Sequence, residues 1–486
     1  MVNIADPVTQ WAFIVLVSVV MGTGALIAVA FFRRWQQIRY VRYVHTLRRE
    51  YRPVLAGLLS GAPSPSGIEA LRELPMADLE LLLDPLFSRR KITERCLVFL
   101  QALCAELGLI ELWQTRLANG LAAAPKSSKN GAHKGIPDRA VMRYLLRAKS
   151  IRNLGTLRHQ PSWPLLIKAL DDRHPDIQLV SLRSLAALGA PESFPLLRER
   201  LRAVVQGETA SPPLPGLQAA MVSFDLTCAP ALLPSLQHAD RQVRLPATEI
   251  LRAMVCRAAA RQPGFTLTAQ LLTPPMMELL VTGLAVDTCS ETRARAAEII
   301  PFVADPRAPS VLRNLLHDHQ WFVRLRTVRA LTHCHAAGTL HADIRECLRD
   351  PHWRVREAAI QTLISLGPEG RHQLYDHFLT SSDRATREQV IEEIERRGLM
   401  SALVEEYTAG AKGVEALMVG QLAGDAASRG LSGVLCASRP EILQKFLDRM
   451  LPTVEAKLSF LEKANPGVES AFRLPKGRTL PPNLAA

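Results

Sequence analysis

Aromatic residues and paired cysteines are scarce in this chain. Phe, Trp and Tyr make up 5% of the 486 residues, whereas Leu, Ala and Arg are abundant, which is typical of helical proteins. The eight Cys are scattered, with no C-x-x-C pair and no dense framework of the kind that small secreted domains need. The cysteines therefore fit a reducing compartment. The length predicts several domains or an open-ended array rather than one core.

Catalytic motifs are also absent. The sequence contains no G-x-S-x-G, H-E-x-x-H or P-loop pattern, and nothing indicates a nucleophile with an orienting base. The strongest chemical cluster consists of His317, His319, His333, Cys334, His335, His341, Cys347 and His352. Metal ligands can have such spacings, but these residues fall at helix ends and in turns, which favours surface histidines and core cysteines. We expect no catalytic residue, no metal site and no cofactor, and hence no enzyme.

Acidic residues are few near the N-terminus, so the net charge of +13 is unevenly distributed. Residues 33–160 hold 22 Lys and Arg against 10 Asp and Glu, whereas residues 161–486 hold 37 against 35. A nucleic-acid-binding protein carries its basic excess on the surface that meets phosphates. Here the excess adjoins a hydrophobic N-terminus, which favours a membrane over nucleic acid as the partner.

Charge is missing altogether from Trp11 to Phe32. These 22 residues would span about 33 Å as a helix, enough for a hydrocarbon core of about 30 Å. A cleaved signal peptide is the alternative, but no Lys or Arg occurs in the ten preceding residues. The sequence predicts a transmembrane helix at residues 11–32.

A basic flank follows this segment and consists of Arg33, Arg34, Arg39, Arg42, Arg48, Arg49 and Arg52. Positive flanks stay in the cytoplasm, so we expect a single pass through the inner membrane with the N-terminus outside. The arginines either set topology alone or also bind anionic lipid, at about 1 kcal/mol each. Gly22 and Gly24 would let a second transmembrane helix approach closely, without identifying one.

Two stretches have nearly the same sequence: "DHQWFVRLRT" from Asp318 and "DPHWRVREAA" from Asp350. A period between 20 and 50 residues indicates stacked supersecondary units. We take the Arg of the Val-Arg pair as a marker position, which is occupied along the chain by Gln178, Arg244, Arg293, Arg324, Arg356 and Arg387.

Each marker is followed by the same pattern of apolar residues. Seven residues later stands an aliphatic residue: Leu185, Leu251, Ile300, Leu331, Leu363 and Ile394. Three residues later the side chain is usually small: Ser181, Ala247, Ala296, Thr327 and Ala359, with Val390 the exception. These offsets lie on one helical face, so each marker is predicted to lie on the second helix of a two-helix repeat.

An Asp six residues before the marker recurs as Asp172, Asp287, Asp318 and Asp350. An Asp in such a turn can accept backbone N–H groups at the start of the second helix. We predict a structural Asp–Arg ladder between repeats, made by Asp287, Arg293, Asp318, Arg324, Asp350 and Arg356. Departures from the pattern, at Gln178, His238, Ser381 and Pro246, are expected to interrupt it.

The spacing in "LLHDHQWFVR" and "CLRDPHWRVR", with the endings "LAALG" and "LISLG", resembles HEAT-repeat proteins of the bacterial PBS-lyase HEAT-like type, from about Arg139 to Gly398. The resemblance implies an all-α solenoid. It includes membrane-anchored bacterial proteins that can accompany polysaccharide-synthesising glycosyltransferases, which implies a scaffold with a membrane glycosyltransferase system as a candidate partner. The alternative is a HEAT-like enzyme, resembling bilin lyases or DNA glycosylases. The near-neutral array and the membrane anchor count against it.

Trp321 and Trp353 occupy the same repeat position, two residues before the Val-Arg pair. They are candidate partner-binding residues, and the alternative is that they fill the groove between repeats. The domain prediction assigns a short extracytoplasmic N-terminus (1–10), a transmembrane helix (11–32), a basic juxtamembrane helix (33–60), a helical N-terminal cap (61–122), a polar loop (123–138), the HEAT array (139–400), a helical C-terminal cap (401–466) and a disordered tail (467–486). We also expect the chain from Gly61 onward to fold without the preceding segment.

Overall fold

The computed structural model describes residues 7–60, 65–87, 93–122, 139–209, 211–268, 270–334 and 337–410, together with isolated positions from 413 to 449. These residues are largely helical. No β-strand occurs among them, and an isolated β-bridge pairs Leu267 with Val303. The chain divides into two compact units, Met1–Phe224 (the first unit) and Asp225–Ala486 (the second unit). The predicted all-α class is confirmed.

The α-helices of the first unit are α1 (Pro7–Glu50), α2 (Arg52–Ser60), α3 (Pro65–Arg72), α4 (Met76–Phe87), α5 (Glu94–Glu106), α6 (Leu109–Ala122), α7 (Arg139–Thr156), α8 (Trp163–Lys168), α9 (Pro175–Leu188), α10 (Phe194–Val205) and α11 (Leu214–Val222). Those of the second unit are α12 (Leu233–Leu236), α13 (Arg241–Arg261), α14 (Pro274–Glu278), α15 (Ser290–Ile299), α16 (Ala308–Leu316), α17 (Trp321–Ala330), α18 (His341–Glu346), α19 (Trp353–Ser365), α20 (Pro368–Thr380), α21 (Arg384–Arg396) and α22 (Leu399–Thr408). Helix α14 continues through a π-helical turn, Leu279–Gly283, and a 3-10 turn, Leu284–Val286.

The helices alternate as first and second members of pairs. In each unit the second helices pack side by side: α7, α9 and α11 in the first, and α13, α15, α17, α19 and α21 in the second. Several first helices are short and end in a 3-10 turn, as α8 does at Ala169–Asp171 and α18 at Cys347–Arg349. The turn leads directly to the Asp of the repeat, so the ladder residues lie at the entry to each second helix.

Side chains on one face of each second helix form the core. The predicted aliphatic positions, from Leu185 to Ile394, are fully buried, and so are the small positions from Ser181 to Val390. Small side chains allow neighbouring second helices to approach, and the aliphatic side chain one turn later fills the space between them. Gly189 ends α9 in the left-handed conformation, with φ of 65°, as expected for "LAALG".

The N-terminal helix α1 is unbroken from Pro7 to Glu50, so the predicted transmembrane and basic segments share one helix. It ends before Pro53, whose ring is incompatible with continued helical hydrogen bonding, and α2 begins at Arg52. The predicted juxtamembrane helix is therefore two helices.

The end of α1 packs against α4. Tyr43 Oη donates to Asp78 Oδ2 at 2.6 Å, and Leu47 is 6% exposed. Helix α2 in turn packs against α5. Residues before Gly61 thus contribute contacts to the first unit, whereas folding of the chain from Gly61 onward stays a prediction.

The segment "ERCLVFLQALCAELGLIELWQTRL" forms α5 and α6, whose axes differ by 72°. Gly108 makes this break possible because its φ of 69° lies in the left-handed region. The polar loop at 123–138, the tail at 467–486, the first six residues of the N-terminus and most of the C-terminal cap lie outside the described residues.

Candidate functional site

Arginines at the marker position join consecutive repeats of the second unit. Three bidentate pairs form: Arg244–Asp287, Arg293–Asp318 and Arg324–Asp350. In the second pair, Nε donates to Oδ2 at 2.6 Å and Nη2 donates to Oδ1 at 2.9 Å. The remaining Nη1 of Arg293 donates to the carbonyl oxygen of Asp287 in its own repeat at 2.7 Å. Each guanidinium therefore binds its own turn and the next one at once.

The aspartates of the ladder also hold the start of each second helix. Asp318 Oδ1 accepts the backbone N–H of Gln320 at 2.9 Å, and Asp287 Oδ1 accepts that of Cys289 at 2.7 Å. Burial opposes ionisation of both carboxyls, but hydrogen bonds from the arginine and from the backbone outweigh it. The pKa of Asp287 and that of Asp318 therefore lie below the ordinary value of 3.8.

The ladder changes where the sequence departs from its pattern. Arg356 donates from Nη1 to the carbonyl oxygen of Asp350 at 2.9 Å, but its Nε donates to Gln389 Oε1, also at 2.9 Å, because Ser381 stands where the next Asp was expected. Arg356 was predicted within an Asp–Arg pair, and it instead donates to three neutral acceptors, the third being the Pro351 carbonyl oxygen at 3.4 Å.

In the first unit Gln178 keeps only the contact within its own repeat, to the Asp172 carbonyl oxygen at 2.7 Å. The carboxylate of Asp172 pairs with Arg147 of α7 at 3.0 Å. Arg147 was not predicted as a ladder residue. In the repeat that contains α7, the position equivalent to Gln178 lies three residues before Arg147. His238 stands where the repeat pattern has Asp. Arg244 Nη1 still donates to the backbone carbonyl oxygen of His238, because this contact does not require an Asp side chain. Helix α13 continues through Pro246.

Trp321 and Trp353 lie at the first positions of α17 and α19, and the structure places His352 between them. The rings of Trp321 and His352 are stacked with centroids 3.9 Å apart and planes at 1°, and His352 and Trp353 are 6.4 Å apart at 14°. The Arg354 guanidinium lies 5.8 Å from the Trp321 ring and 5.3 Å from the Trp353 ring. Trp353 is 50% exposed, whereas Trp321 is half-buried. We call Trp321, His352 and Trp353 the aromatic stack.

A cavity of about 950 Å³ adjoins the stack, and Trp321 lines it. The other lining residues come from the end of α13, the segment at 262–265, the end of α15 and the length of α17. The lining includes five aromatic side chains: Phe265, Phe302, Trp321, Phe322 and His333. We call this cavity the α17 pocket. Beyond the adjacent Trp321 and Phe322, no pattern in the sequence indicates this pocket, because its residues are far apart in the chain.

Charged side chains beside the α17 pocket form a chain of ion pairs across three second helices. Arg326 donates to Glu298 at 2.7 Å, and Glu298 also accepts from Arg252 at 2.8 Å. Glu249 then joins Arg252 and Arg295, at 2.6 Å each. Burial opposes ionisation of Glu249, but these two arginines keep its pKa below the ordinary value of 4.5. The carboxylates here are therefore already neutralised by arginines of the same chain.

The histidines and cysteines of the predicted cluster are separated. His317 and His319 are exposed in one turn, His333 stacks on Phe302 at 5.6 Å, and His335 lies outside the described residues. Burial raises the pKa of the Cys347 thiol to about 12. Within the described ranges, no group of three His, Cys, Asp or Glu side chains is placed to hold a metal ion.

The seven arginines of the basic flank are exposed, six on α1 and Arg52 at the start of α2. Arg39 lies over the ring of Trp35 at 4.8 Å, and Arg48 donates to the Leu81 carbonyl oxygen at 3.4 Å. Among the described helices, the one from Phe13 to Glu50 is by itself long and apolar enough to cross a membrane, and its apolar part is not buried within the protein.

Comparisons with known proteins agree on the type of repeat. The sequence model for HEAT repeats (HEAT_2) matches residues 142–209, and that for the HEAT repeat (HEAT) matches residues 343–369. No curated protein matches the chain.

Solved structures similar to this chain have low sequence identity. An engineered protein is 16% identical over 74% of this chain and 98% of its own, with a TM-score of 0.31. Kap121p bound to Nup53p is 12% identical over 86% of this chain and 52% of its own, with a TM-score of 0.34, so the chain spans about half its length. The CpcE–CpcF complex of phycocyanin lyase from Nostoc sp. PCC7120 is 17% identical over 55% of this chain and 98% of its own, with a TM-score of 0.22.

The family matches fall in both units, at the helix pairs whose turns carry Asp172 and Asp350. Together with the repeated helix pairs, they show that this chain contains HEAT repeats in an all-α, HEAT-like solenoid fold.

Proposed function

We propose that this protein is a non-enzymatic, membrane-tethered scaffold whose HEAT solenoid binds a protein partner in the cytoplasm. The partner surface includes Trp321 and Trp353, and the partner is membrane-associated, a membrane glycosyltransferase system being the candidate implied by the family resemblance. Helix α1 crosses the inner membrane once, with the N-terminus outside.

The exposed aromatic stack is the observation that carries this proposal. A half-exposed Trp, held in place by a stacked His and an overlying Arg, presents a large rigid apolar area at little entropic cost on binding. The α17 pocket beside it can accept an apolar side chain of the partner. Packing alone does not account for a Trp353 side chain that is half in solvent.

The tether is supported by the length and surroundings of α1. Its apolar part is exposed to solvent in the isolated chain, and its basic part is fixed to α4 through Tyr43 and Arg48. From Phe32 to Tyr43 the helix rises about 16 Å, so the first unit would lie close to lipid headgroups. Exposed arginines of the basic flank would bind those headgroups where the lipid is anionic.

Replacing both tryptophans with Ala tests the partner surface. Tagged protein is purified from solubilised membranes, and co-purifying proteins are quantified by mass spectrometry. We expect the double variant to lose its specific partner at nearly unchanged melting temperature, whereas Trp163→Ala, a half-buried Trp in the first unit, keeps it. A large drop in melting temperature of the double variant would identify the tryptophans as packing residues instead.

Reporter fusions test the tether. A reporter fused after Ala486 should behave as cytoplasmic, and activity of a periplasmic reporter there would reverse the orientation. Deletion of residues 1–38 should leave a soluble helical protein, because it removes the apolar segment and keeps Tyr43 and Leu47. The protein that lacks residues 1–60 should be less stable, because its α4 and α5 expose the surfaces that α1 and α2 otherwise cover.

A further inference from the structure

We propose that the α17 pocket and the aromatic stack together bind an extended acidic segment of the partner in which apolar or aromatic side chains alternate with Asp or Glu. This inference rests on the proposed partner-binding function and adds the chemistry of the partner.

The surface around the α17 pocket and the aromatic stack is positively charged. Three arginines border the pocket and the stack, Arg326, Arg329 and Arg354, against one carboxylate, Glu298. Glu298 is already held by Arg252 and Arg326. Arg329 is exposed, and it has no carboxylate within ion-pair distance among the residues that the structure describes. The surface is therefore complementary to an anionic partner.

The α17 pocket also has an apolar, aromatic lining. Phe322 is half-buried in the pocket wall next to Trp321, and Phe265 and Phe302 also line the pocket, with ring centroids 6.1 Å apart. Aromatic walls of this kind bind an aromatic or aliphatic side chain by burial of apolar surface. An anion without an apolar group would not bury the apolar surface of these rings.

The pocket and the stack together form a long surface. It extends across α13, α15, α17 and α19, which are neighbours in that order. Three steps of about 8–10 Å between packed helices give about 24–30 Å. An extended chain advances about 3.3–3.6 Å per residue, so about eight residues would cover it. This length fits a peptide better than a small molecule.

Two undescribed segments of this chain, the polar loop and the tail, are poor candidates for the same surface. The polar loop at 123–138 and the tail at 467–486 each contain three Lys or Arg against a single Asp or Glu. Their positive charge would be repelled by Arg329 and Arg354. The complementary segment is therefore expected on another protein.

The test uses the full chain in detergent and fluorescein-labelled synthetic octapeptides. One peptide alternates Glu with Phe, a second replaces each Phe with Ser, and a third replaces each Glu with Lys. Binding is measured by fluorescence anisotropy for the unaltered protein, for Arg329→Glu, and for Arg349→Glu, which makes the same charge change at an exposed Arg outside the pocket.

We expect the Glu–Phe peptide to bind the unaltered protein and Arg349→Glu alike, and to bind Arg329→Glu at least about tenfold more weakly, because like charges now face each other. The Lys–Phe peptide should gain affinity for Arg329→Glu, which also shows that this variant is folded. Equal binding of the Glu–Phe peptide to both variants, or equal binding of the Glu–Ser peptide, would overturn the inference.

Failure here is distinguishable from failure of the proposed function. If the Trp double variant loses its membrane partner while Arg329→Glu retains it, the scaffold function stands and the acidic-segment chemistry is wrong. If neither variant affects partner recovery, the proposed partner surface itself is wrong.

Discussion

The two units hold neighbouring repeats together by the same kinds of contact in different proportions. In the second unit, Arg–Asp pairs bridge the turns, as Arg293 and Asp318 do. In the first unit, Gly155 of α7 lies directly against Ser184 of α9, and the Ser184 hydroxyl donates to the Ile151 carbonyl oxygen at 3.0 Å. Among the described residues, the second unit thus carries the buried Arg–Asp bridge at three junctions, whereas the first unit has it once, between Arg147 and Asp172, and adds a close approach of two helices at Gly155. A single repeat pattern therefore tolerates different numbers of charged bridges between its helices.

Acid should affect the second unit first, and this is the largest effect we expect. Among the described carboxyls, a lowered pKa occurs in the first unit at Glu199 and in the second unit at Asp225, Glu249, Glu278, Asp287, Asp305, Asp318 and Asp383. A carboxyl whose pKa is lower in the folded state stabilises the fold above its unfolded pKa of about 4 and loses that contribution as the pH falls through the folded pKa.

Hydrogen exchange followed by mass spectrometry, between pH 7 and pH 3, would locate this loss. Peptides from α13 to α19 should lose protection at a higher pH than peptides from α7 to α9. Simultaneous loss in both units would mean that the ladder does not set their acid stability.

Gly155→Val should be the most damaging single substitution in the first unit. A Cβ at this position would lie 2.4 Å from Ser184 Cβ and 2.7 Å from its Cα, so α7 and α9 would have to separate. We expect a loss of about 3 kcal/mol in the free energy of unfolding, measured by urea denaturation. Gly338→Ala, where a Cβ meets nothing within 4 Å, is the control and should be close to neutral. An equal effect of both changes would remove close approach as the explanation.

Arg293→Ala should destabilise the second unit by about 2–3 kcal/mol, because it leaves the buried Asp318 carboxylate without its cation. The Asp318 side chain is 8% exposed and that of Arg293 is 16% exposed, so water cannot readily replace the lost contacts. Arg313→Ala removes an exposed pair with Asp343 and should cost less than about 1 kcal/mol. Similar losses in the two variants would show that the ladder contributes no more than surface pairs do.

Arg356→Ala should have the smallest effect, about 1 kcal/mol, because its hydrogen-bond partners are two backbone carbonyl oxygens and an amide oxygen, all neutral. Thermal unfolding measures the loss, and cell fractionation should find the variant in the same fraction as the unaltered protein. A loss larger than that of Arg293→Ala would contradict the interpretation that ionic contacts make the ladder strong.

Much of the helical pattern could be predicted from the sequence, whereas contacts between repeats could not. Each predicted aliphatic position, such as Leu331, is buried, because the 3.6-residue period alone places it on the inner face. Arg147, by contrast, binds Asp172 although it falls outside the marker position. Whether an arginine reaches the neighbouring turn depends on the offset between helices, which no single repeat specifies.

The sequence by itself determined the helical class, the repeat period, the Asp-initiated turns and the apolar N-terminal helix, since each depends on residues close together in the chain. Tertiary structure alone decided that His352 lies between the two tryptophans, that Arg356 contacts Gln389, and that residues from Cys256 to Cys334 share one pocket. The physical reason is distance along the chain. Local hydrogen bonding and periodicity act over a few residues, while the stack and the pocket exist only after several second helices have packed side by side.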